Sequence, residues 1–347
     1  MAGSRRHSRW SWQALAALGL SIALLLVLYR SVDIAQLLAA CRQASAPLLL
    51  LAFACGGPLS ALSSWRYSGF ASRLGIDPAP GFATALRSYF IAATFNLVLP
   101  SKLGDLGKGM VCQRLDRRPY PLSLHAFTVY EKAADLLALV LLTLLLALGT
   151  ALLPASGRSG FGALVALYRS APLPLVLLAL LAVLAVVLLP HRVDGSLGPL
   201  LRRLPAKLSE AARLASHFRR WDLGWFVLLS VLLWALHLSQ LALFAAALGI
   251  GLWSLPGYLL IATVLLVGLL PLSFAGVGTR DAALVLLLAG QASTASALLL
   301  GVLFTSRYVI PALVGTTLLR QLAAPSELGP PLPSPPLRKP PLRKSPE

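Results

Sequence analysis

The chain has 347 residues, of which 57% are hydrophobic and only 12% are charged, with a formal net charge of +18. Soluble domains carry about 25% charged residues, so this composition excludes an ordinary soluble protein and indicates a polytopic membrane protein. The basic residues stand in short runs between apolar segments, which points to membrane orientation and anionic lipid contact rather than nucleic-acid binding.

Membrane-spanning helices need about 18 or more apolar residues. Six stretches qualify or nearly qualify: 12–29, 46–64, 121–153, 172–190, 223–248 and 297–319. Basic runs at 5–9, at 191–220 and after 319 lie on one side of the membrane if these spans alternate. The positive-inside rule makes that side the cytoplasm, so the chain is predicted to cross the cell inner (cytoplasmic) membrane with both termini cytoplasmic.

Two further apolar segments each break at a proline and then fill with glycine and charge. The first reads TFNLVLPSKLGDLGKGM (94–110) and the second LLPLSFAGVGTRDAALVL (269–286). A full crossing at either one would place basic segments on the wrong side, so each is predicted to dip into the bilayer and return, over about 82–118 and 256–290. The two hairpins enter from opposite faces, as inverted repeats of transporters do. The predicted fold is therefore an all-α, polytopic membrane helix bundle over 1–320, with six full spans and two re-entrant helical hairpins of inverted topology.

Non-helical backbone at membrane depth persists only where it is buried in protein or lines a wet cavity. Glycine lets backbone approach a ligand, and nearby N–H groups and cations attract anions. The two turns therefore predict a seat for a phosphate-bearing headgroup. The candidate substrate-binding residues are Lys102, Gly104, Asp105, Lys108, Arg280 and Arg307, and the candidate hinge residues are Pro100, Gly107, Pro271, Gly276 and Gly278. The alternative is a packed helix break with its charges in the headgroup layer.

Acidic residues accompany these cations. Glu131 and Asp135 stand four residues apart in EKAAD, so they share one helix face. They are predicted either to pair with a cation or, together with Asp281, to balance charge and carry protons. The candidate cation partners are Lys132, Lys102 and Arg87.

Other polar residues lie within or next to the spans. Arg307, in the middle of the last span, is either one half of an ion pair between spans or an anion-binding group, since an unpaired arginine at that depth is costly. Its candidate partners are Asp281, Glu131 and Asp135. Arg66 and Arg73 are interpreted as headgroup anchors, and His237 with Gln240 as a buried polar pair.

Several chemistries have no signature in the sequence. It contains no HExxH, no P-loop, no acidic metal motif and no CxxC pair, so no cofactor, metal site or catalytic residue is expected. Residues 191–222 are predicted to form a basic amphipathic segment on the cytoplasmic surface. Residues 321–347, which repeat PPLRK, are predicted to be a disordered proline-rich tail.

These motifs resemble a known family. LPSKLGDLGK (99–108), EKAAD and LLPLSFAGVGTRDAALVLLL are similar to the flippase-like transmembrane region of lysylphosphatidylglycerol synthases, over roughly 12–320. The first turn matches at Leu99, Pro100, Ser101, Gly104 and Asp105, and the second at Pro271, Ser273, Gly276, Gly278 and Arg280. Asp281 stands where that pattern has Glu, and Lys132 where Arg is common.

The resemblance implies translocation of a lipid with a polar headgroup. Candidate lipids are an anionic phospholipid, an aminoacyl-lipid and a polyprenyl-phosphate-linked sugar. The aminoacyl-transferase domain of the synthases is not expected here. The alternatives are a non-transporting membrane scaffold or accessory subunit of a lipid synthase or glycosyltransferase, and a membrane glycosyltransferase.

Overall fold

A computed structural model describes residues 32–98, 100–152, 220–269 and 277–322, most of 22–30, residue 19, and four isolated positions from 162 to 168. At 98, 100–103 and 220 it describes the backbone alone. These residues form helices joined by turns, without a β-strand, which confirms the all-α prediction for this part of the chain. The helices are α1 Ile34–Gln43, α2 Ala46–Ala54, α3 Gly56–Arg73, α4 Phe82–Val98, a 3-10 helix Pro100–Gly107, α5 Lys108–Asp116, α6 Leu122–Leu152, α7 Arg220–Ala247, α8 Leu255–Leu269, α9 Thr279–Leu287, α10 Thr294–Leu318 and a second 3-10 helix Leu319–Leu322.

Four of the predicted spans are present as long apolar helices. These run over Ala46–Arg73, Leu122–Leu152, Trp221–Ala247 and Thr294–Leu322. The predicted span at 12–29 lies largely outside the described residues, and the predicted span at 172–190 lies wholly outside them. The tail after 322 also lies outside them, as does the amphipathic segment at 191–222 apart from the three residues that begin α7.

The outer surface is apolar, as a lipid environment requires. Leu152 and Leu286 are 78% and 75% exposed. Water would make such a surface an aggregation hazard, whereas hydrocarbon solvates it. The composition and the four long helices together fit a multi-pass membrane protein.

The first predicted hairpin folds back on itself. The hydroxyl of Thr84, at the start of α4, donates to the Asp116 carboxylate at the end of α5 (2.7 Å). Helix α5 also contacts residues 319–322, which directly follow α10. Further along α4, the Thr94 hydroxyl donates to the Ala312 carbonyl (2.8 Å). Helix α4 therefore runs antiparallel to α10, and the tip of the hairpin lies about halfway along it.

The segment at the tip of this hairpin is a 3-10 helix rather than an open turn. Gly104 permits its position, because a Cβ there would lie 2.6 Å from the Ala92 carbonyl oxygen and 2.8 Å from the Asn96 amide nitrogen. A 3-10 helix of eight residues is long for its class, and such stretches often mark functional sites. The glycine thus brings this segment against α4.

The second predicted hairpin approaches α10 from its other end. Helices α8 and α9 pack together, with Gly268 against the side chain of Arg280. Arg280, at the start of α9, donates to Thr305 in α10 (2.7 Å), whereas α9 ends close to the start of α10. The start of α9 therefore lies near the middle of α10. Residues 270–276, which contain Pro271 and Gly276, lie outside the described residues.

Contacts between helix ends define two faces of the bundle. Arg73 and Asp222 are 3.8 Å apart, so α3 ends where α7 begins. At the other end of α7, the Ser45 amide donates to the Ala247 carbonyl (2.8 Å). We call the end at Arg73 and Asp222 the first face and the end at Ser45 and Ala247 the second face.

The first face also contains the end of α10 and the segments 79–84 and 116–118. Helix α5 contacts residues 319–322, and Arg118 donates to the Ala79 carbonyl.

Candidate functional site

A network of six charges lies inside the bundle; we call it the charged cluster. Its first half centres on Glu131 of α6, which is fully buried. One carboxylate oxygen of Glu131 accepts from Arg66 of α3 (3.1 Å), and the other accepts from Lys108 of α5 (3.0 Å). Arg66 also contacts Asp135 (2.7 Å) and donates to the Ser230 hydroxyl (2.5 Å). A buried carboxylate persists only with partners of this kind.

The second half of the cluster ties the 3-10 helix to α6. Lys132 contacts Asp105 (3.1 Å) and Asp135 (3.6 Å). Asn96 of α4 holds the backbone beneath Asp105, because its side-chain oxygen accepts from the Asp105 amide (3.2 Å). The sequence EKAAD thus places Glu131 and Asp135 on one face of α6, as predicted, and both carboxylates reach Arg66.

Aromatic rings surround the buried cations. The Arg66 guanidinium lies 5.0 Å from the ring centre of Phe226, and the Lys108 ammonium lies 5.0 Å from that of Tyr67. Arg66 and Lys108 are 1% and 2% exposed. Ring faces carry negative electrostatic potential, so these contacts add to the ion pairs in holding charge away from water.

A cavity of about 140 Å³ adjoins the charged cluster; we call it the central cavity. Its lining comes from α3, α4, the first 3-10 helix, α6, α7 and α10. The residues are Ser63, Arg66, Tyr89, Ala93, Asn96, Asp105, Lys132, Asp135, Leu233, Trp234, His237, Arg307, Tyr308 and Pro311. Leu233 and Arg307 fall at the middle of α7 and α10, so the cavity lies about halfway along the membrane-length helices.

Arg307 differs from the other cations in the cavity wall. It contacts the Tyr308 hydroxyl, and its guanidinium lies 4.5 Å from that ring centre. Its Nε and Nη1 atoms are buried and have no hydrogen-bond partner among the described atoms. Within the described ranges no carboxylate lies in ion-pair distance of it, so the predicted ion pairs with Asp281, Glu131 and Asp135 do not form there.

The residues of the second hairpin form a separate pair. Arg280 contacts Asp281 (2.9 Å) and donates to the Gly301 carbonyl (3.0 Å) and the Thr305 hydroxyl. The other Asp281 oxygen accepts from the amide of Gly278, whose φ of 97° favours glycine. This pair joins α9 to α10, and neither side chain lines the central cavity.

The predicted site residues therefore divide by position. Asp105, Asp135 and Arg307 line the central cavity, whereas Lys108 and Glu131 form the part of the charged cluster behind its wall. Gly104 packs on α4, and Gly107 has open space beside it. The side chains of Pro100 and Lys102, and all of Pro271 and Gly276, lie outside what the structure describes.

The prediction that Arg66 anchors to headgroups is wrong, because its side chain is buried against two carboxylates. Arg66 stands inside the helical run 46–73, well before the exposed Arg73 that ends it. This position is the feature of the sequence that could have predicted its burial. His237 and Gln240, predicted as a buried polar pair, have different surroundings. His237 lines the cavity, whereas Gln240 donates to the Ala52 carbonyl (2.9 Å).

The cavity also includes polar residues that the motifs did not indicate. Tyr89, Asn96, Trp234 and Tyr308 stand on three different helices, and nothing in their local sequence distinguishes them from other polar residues of the spans. In the described ranges, no group of three His, Cys, Asp or Glu side chains is placed to hold a metal ion.

Comparison with known proteins gives one family. The family described as "Lysylphosphatidylglycerol synthase TM region" matches residues 14–315, which is most of the chain and includes both hairpins and the whole charged cluster. No curated protein matches the sequence. The coverage confirms the resemblance in the turn motifs, and the chain belongs to the lysylphosphatidylglycerol synthase transmembrane-region family.

Proposed function

We propose that this protein moves a lipid with a phosphate-bearing headgroup across the cytoplasmic membrane. The observation that carries the proposal is the half-depth polar cavity with the guanidinium of Arg307 in its wall. A charged headgroup crosses hydrocarbon only at great cost, and a cavity that offers hydrogen-bond donors and charge at the midplane lowers that barrier. The family assignment supports a membrane protein that acts on lipid.

The arrangement of the two hairpins supports a route to this cavity. We propose that each one enters the bilayer from its own face and returns, within a bundle of six full spans. Asp105, in the 3-10 helix of the first hairpin, lines the cavity together with Arg307 at the middle of α10, and Arg280, at the start of α9, donates to Thr305. Transporters built from inverted repeats bind substrate at such a meeting point and open alternately to either side.

Several groups would act on the headgroup in this scheme. Arg307 would contact the phosphate directly, with Lys102 as a further candidate. Asp105, Glu131 and Asp135 would keep Arg66, Lys108 and Lys132 neutralised while the cavity is empty. The proposal includes no bond-making step, so the protein acts as a transporter rather than an enzyme.

The test is a lipid translocation assay with the purified full chain in liposomes. Wild-type protein is expected to expose phospholipid that carries a fluorescent acyl chain and an unmodified headgroup from the inner leaflet to a membrane-impermeant quencher. Arg307→Gln is expected to slow that exchange at least tenfold, because the cavity loses its free charge. Arg320→Gln, which changes an exposed arginine in the 3-10 helix that follows α10, is the control.

Two outcomes would contradict the proposal. Wild-type liposomes that behave like protein-free liposomes, with both phospholipid and polyprenyl-phosphate lipids, would favour a scaffold that assists a synthase or glycosyltransferase. Equal rates for wild type and Arg307→Gln would show that the central cavity is not the path.

A further inference from the structure

Helix α10 contains a proline in its interior. Pro311 has no N–H group, so the helix hydrogen bond that residue 311 would donate to the Arg307 carbonyl cannot form. Helices bend most readily at such points. Residues 307–311 are therefore the part of α10 that bends with the least loss of backbone hydrogen bonding; we call them the joint.

The part of α10 before the joint is attached to the second hairpin. Arg280, at the start of α9, donates to the Gly301 carbonyl (3.0 Å) and to the Thr305 hydroxyl (2.7 Å). A Cβ at position 301 would overlap the Asp281 carboxylate, so this close approach of α9 requires a glycine in α10. These contacts hold residues 294–305 to the second hairpin.

The part of α10 after the joint is attached to the first hairpin. The Thr94 hydroxyl of α4 donates to the Ala312 carbonyl (2.8 Å). A Cβ at Gly315 would overlap the Phe90 carbonyl oxygen, which belongs to the backbone of α4 and cannot turn aside as a side chain can. Residues 312–318 are therefore held to the first hairpin.

Helix α6 also contacts both hairpins, but its sequence contains no proline between Leu122 and Leu152. Glu131 pairs with Lys108 of the first hairpin (3.0 Å), and Gly149 lies against Leu255, which begins α8 of the second hairpin. The two hairpins thus share a continuous support at α6, whereas at α10 they hold the two sides of a joint.

The joint lies in the wall of the central cavity. Arg307, Tyr308 and Pro311 all line this cavity, as does Asp105 from the first hairpin. A bend at the joint moves the first hairpin, with the end of α10, relative to the second hairpin and the start of α10. Such a movement changes the shape of the cavity and the position of Arg307 relative to Asp105.

We propose that α10 is a jointed helix whose two parts move with different hairpins, and that bending at Pro311 opens and closes the central cavity. Pro311 is then a positioning residue that acts through Arg307, since hinges are formed by a few residues that absorb the backbone change. This inference rests on the proposed function, because it supplies the movement by which the cavity opens alternately to the two sides of the membrane.

The first experiment measures this movement without changing the joint. In the chain whose three native cysteines are replaced by alanine, spin labels are attached at exposed positions, and the protein is placed in phosphatidylglycerol nanodiscs. Val302→Cys with Thr317→Cys spans the joint, whereas Leu97→Cys with Thr317→Cys lies within the first hairpin and the part of α10 attached to it.

Pulsed electron paramagnetic resonance gives the distance distribution of each pair. The distribution across the joint is expected to be at least about twice as wide as the one within the first hairpin and its part of α10, because bending changes only the former. Equal widths would overturn the inference.

The second experiment makes the joint continuous. Pro311→Ala restores an amide that can donate to the Arg307 carbonyl, so the distribution across the joint is expected to become as narrow as the reference pair. In the liposome assay this variant is expected to move lipid at least tenfold more slowly than wild type. Its melting temperature is expected to be equal or higher, because proline is unfavourable inside a helix.

Pro256→Ala is the matched control. Pro256 lies in the first turn of α8, where a backbone amide has no partner within the helix, so replacing it restores no hydrogen bond. Its transport rate and its distance distributions are expected to match those of wild type. A lower melting temperature in Pro311→Ala would assign that proline to packing and would overturn the inference.

Failure of the inference and failure of the proposed function give different results. Wild-type transport in Pro311→Ala, or a distribution across the joint that this substitution does not narrow, would overturn the inference even if the wild-type protein moves lipid. A wide distribution that narrows in Pro311→Ala, in a protein that moves no lipid, would support the joint and refute the flipping function.

Discussion

At the scale of single residues, Glu131 holds the charged cluster together. Its carboxylate has no exposed surface and accepts from Arg66 and Lys108, which come from two different helices. Removing one partner of a buried ion pair leaves the others as uncompensated buried charges. The stability lost in this way is far larger than the stability that the intact pair adds in comparison with apolar residues at the same positions. The residue therefore fixes where α3 and α5 sit against α6.

The substitution Glu131→Gln is predicted to lower the free energy of unfolding by about 3–5 kcal/mol, because two buried cations lose their shared carboxylate. The measurement is the thermal unfolding of purified protein in detergent. Asp222→Asn is the matched control. It breaks the Arg73–Asp222 pair, in which Arg73 is 55% exposed, and exposed pairs contribute only about 0–1 kcal/mol. Similar effects of the two substitutions would show that Glu131 is not buried as described.

At the scale of elements, the first 3-10 helix depends on close contact with α4. Gly104 faces backbone atoms of α4, which cannot move aside as a flexible side chain can. Gly107, three residues further along the same helix, has nothing within 4 Å of the position a Cβ would take. The two glycines thus have different roles in one short segment.

This contrast gives a paired prediction. Gly104→Ala is expected to destabilise the protein by about 1–3 kcal/mol, as overpacking does, and to move Asp105 out of reach of Lys132. Gly107→Ala is expected to leave stability nearly unchanged. Melting temperatures of the two variants in detergent measure the difference. An equal loss in both would argue that glycine is needed here for backbone freedom rather than for close approach.

At the scale of the whole molecule, the distribution of basic residues between the two faces supports the predicted orientation. Among the described residues, Arg73, Arg114 and Arg320 lie toward the first face, whereas Arg42, close to Ser45 in the chain, lies toward the second. Since loops rich in Lys and Arg stay in the cytoplasm, we expect the first face to be cytoplasmic.

Cysteine labelling in intact cells tests both the orientation and the hairpins. In a chain whose three native cysteines are replaced by alanine, Gly251→Cys and Gln291→Cys are expected to react with a membrane-impermeant maleimide. Arg114→Cys and Arg320→Cys are expected to react only after the cells are opened, because both hairpins return to the face they enter from. Labelling of Arg114→Cys in intact cells would mean that the first hairpin crosses the membrane completely.

Local sequence determined much of this protein. Long apolar runs predicted the four described spans, since a helix is the only open-ended segment that satisfies its own backbone in hydrocarbon. The proline–glycine breaks predicted where the helices at 82–118 end and restart, and the spacing of Glu131 and Asp135 predicted their common face. Each of these features depends on residues close together in the chain.

Only the tertiary structure decided which charges pair with each other in the part of the chain that the structure describes. Arg66 meets Glu131 across 65 residues and Ser230 across 164, and no periodicity in the sequence specifies such partners. The packing of the helices takes Lys108 and Arg280 into ion pairs and leaves Arg307 in the cavity wall. The physical reason is that a buried charge is governed by whatever lies within a few ångströms of it, and those neighbours are brought there by the fold.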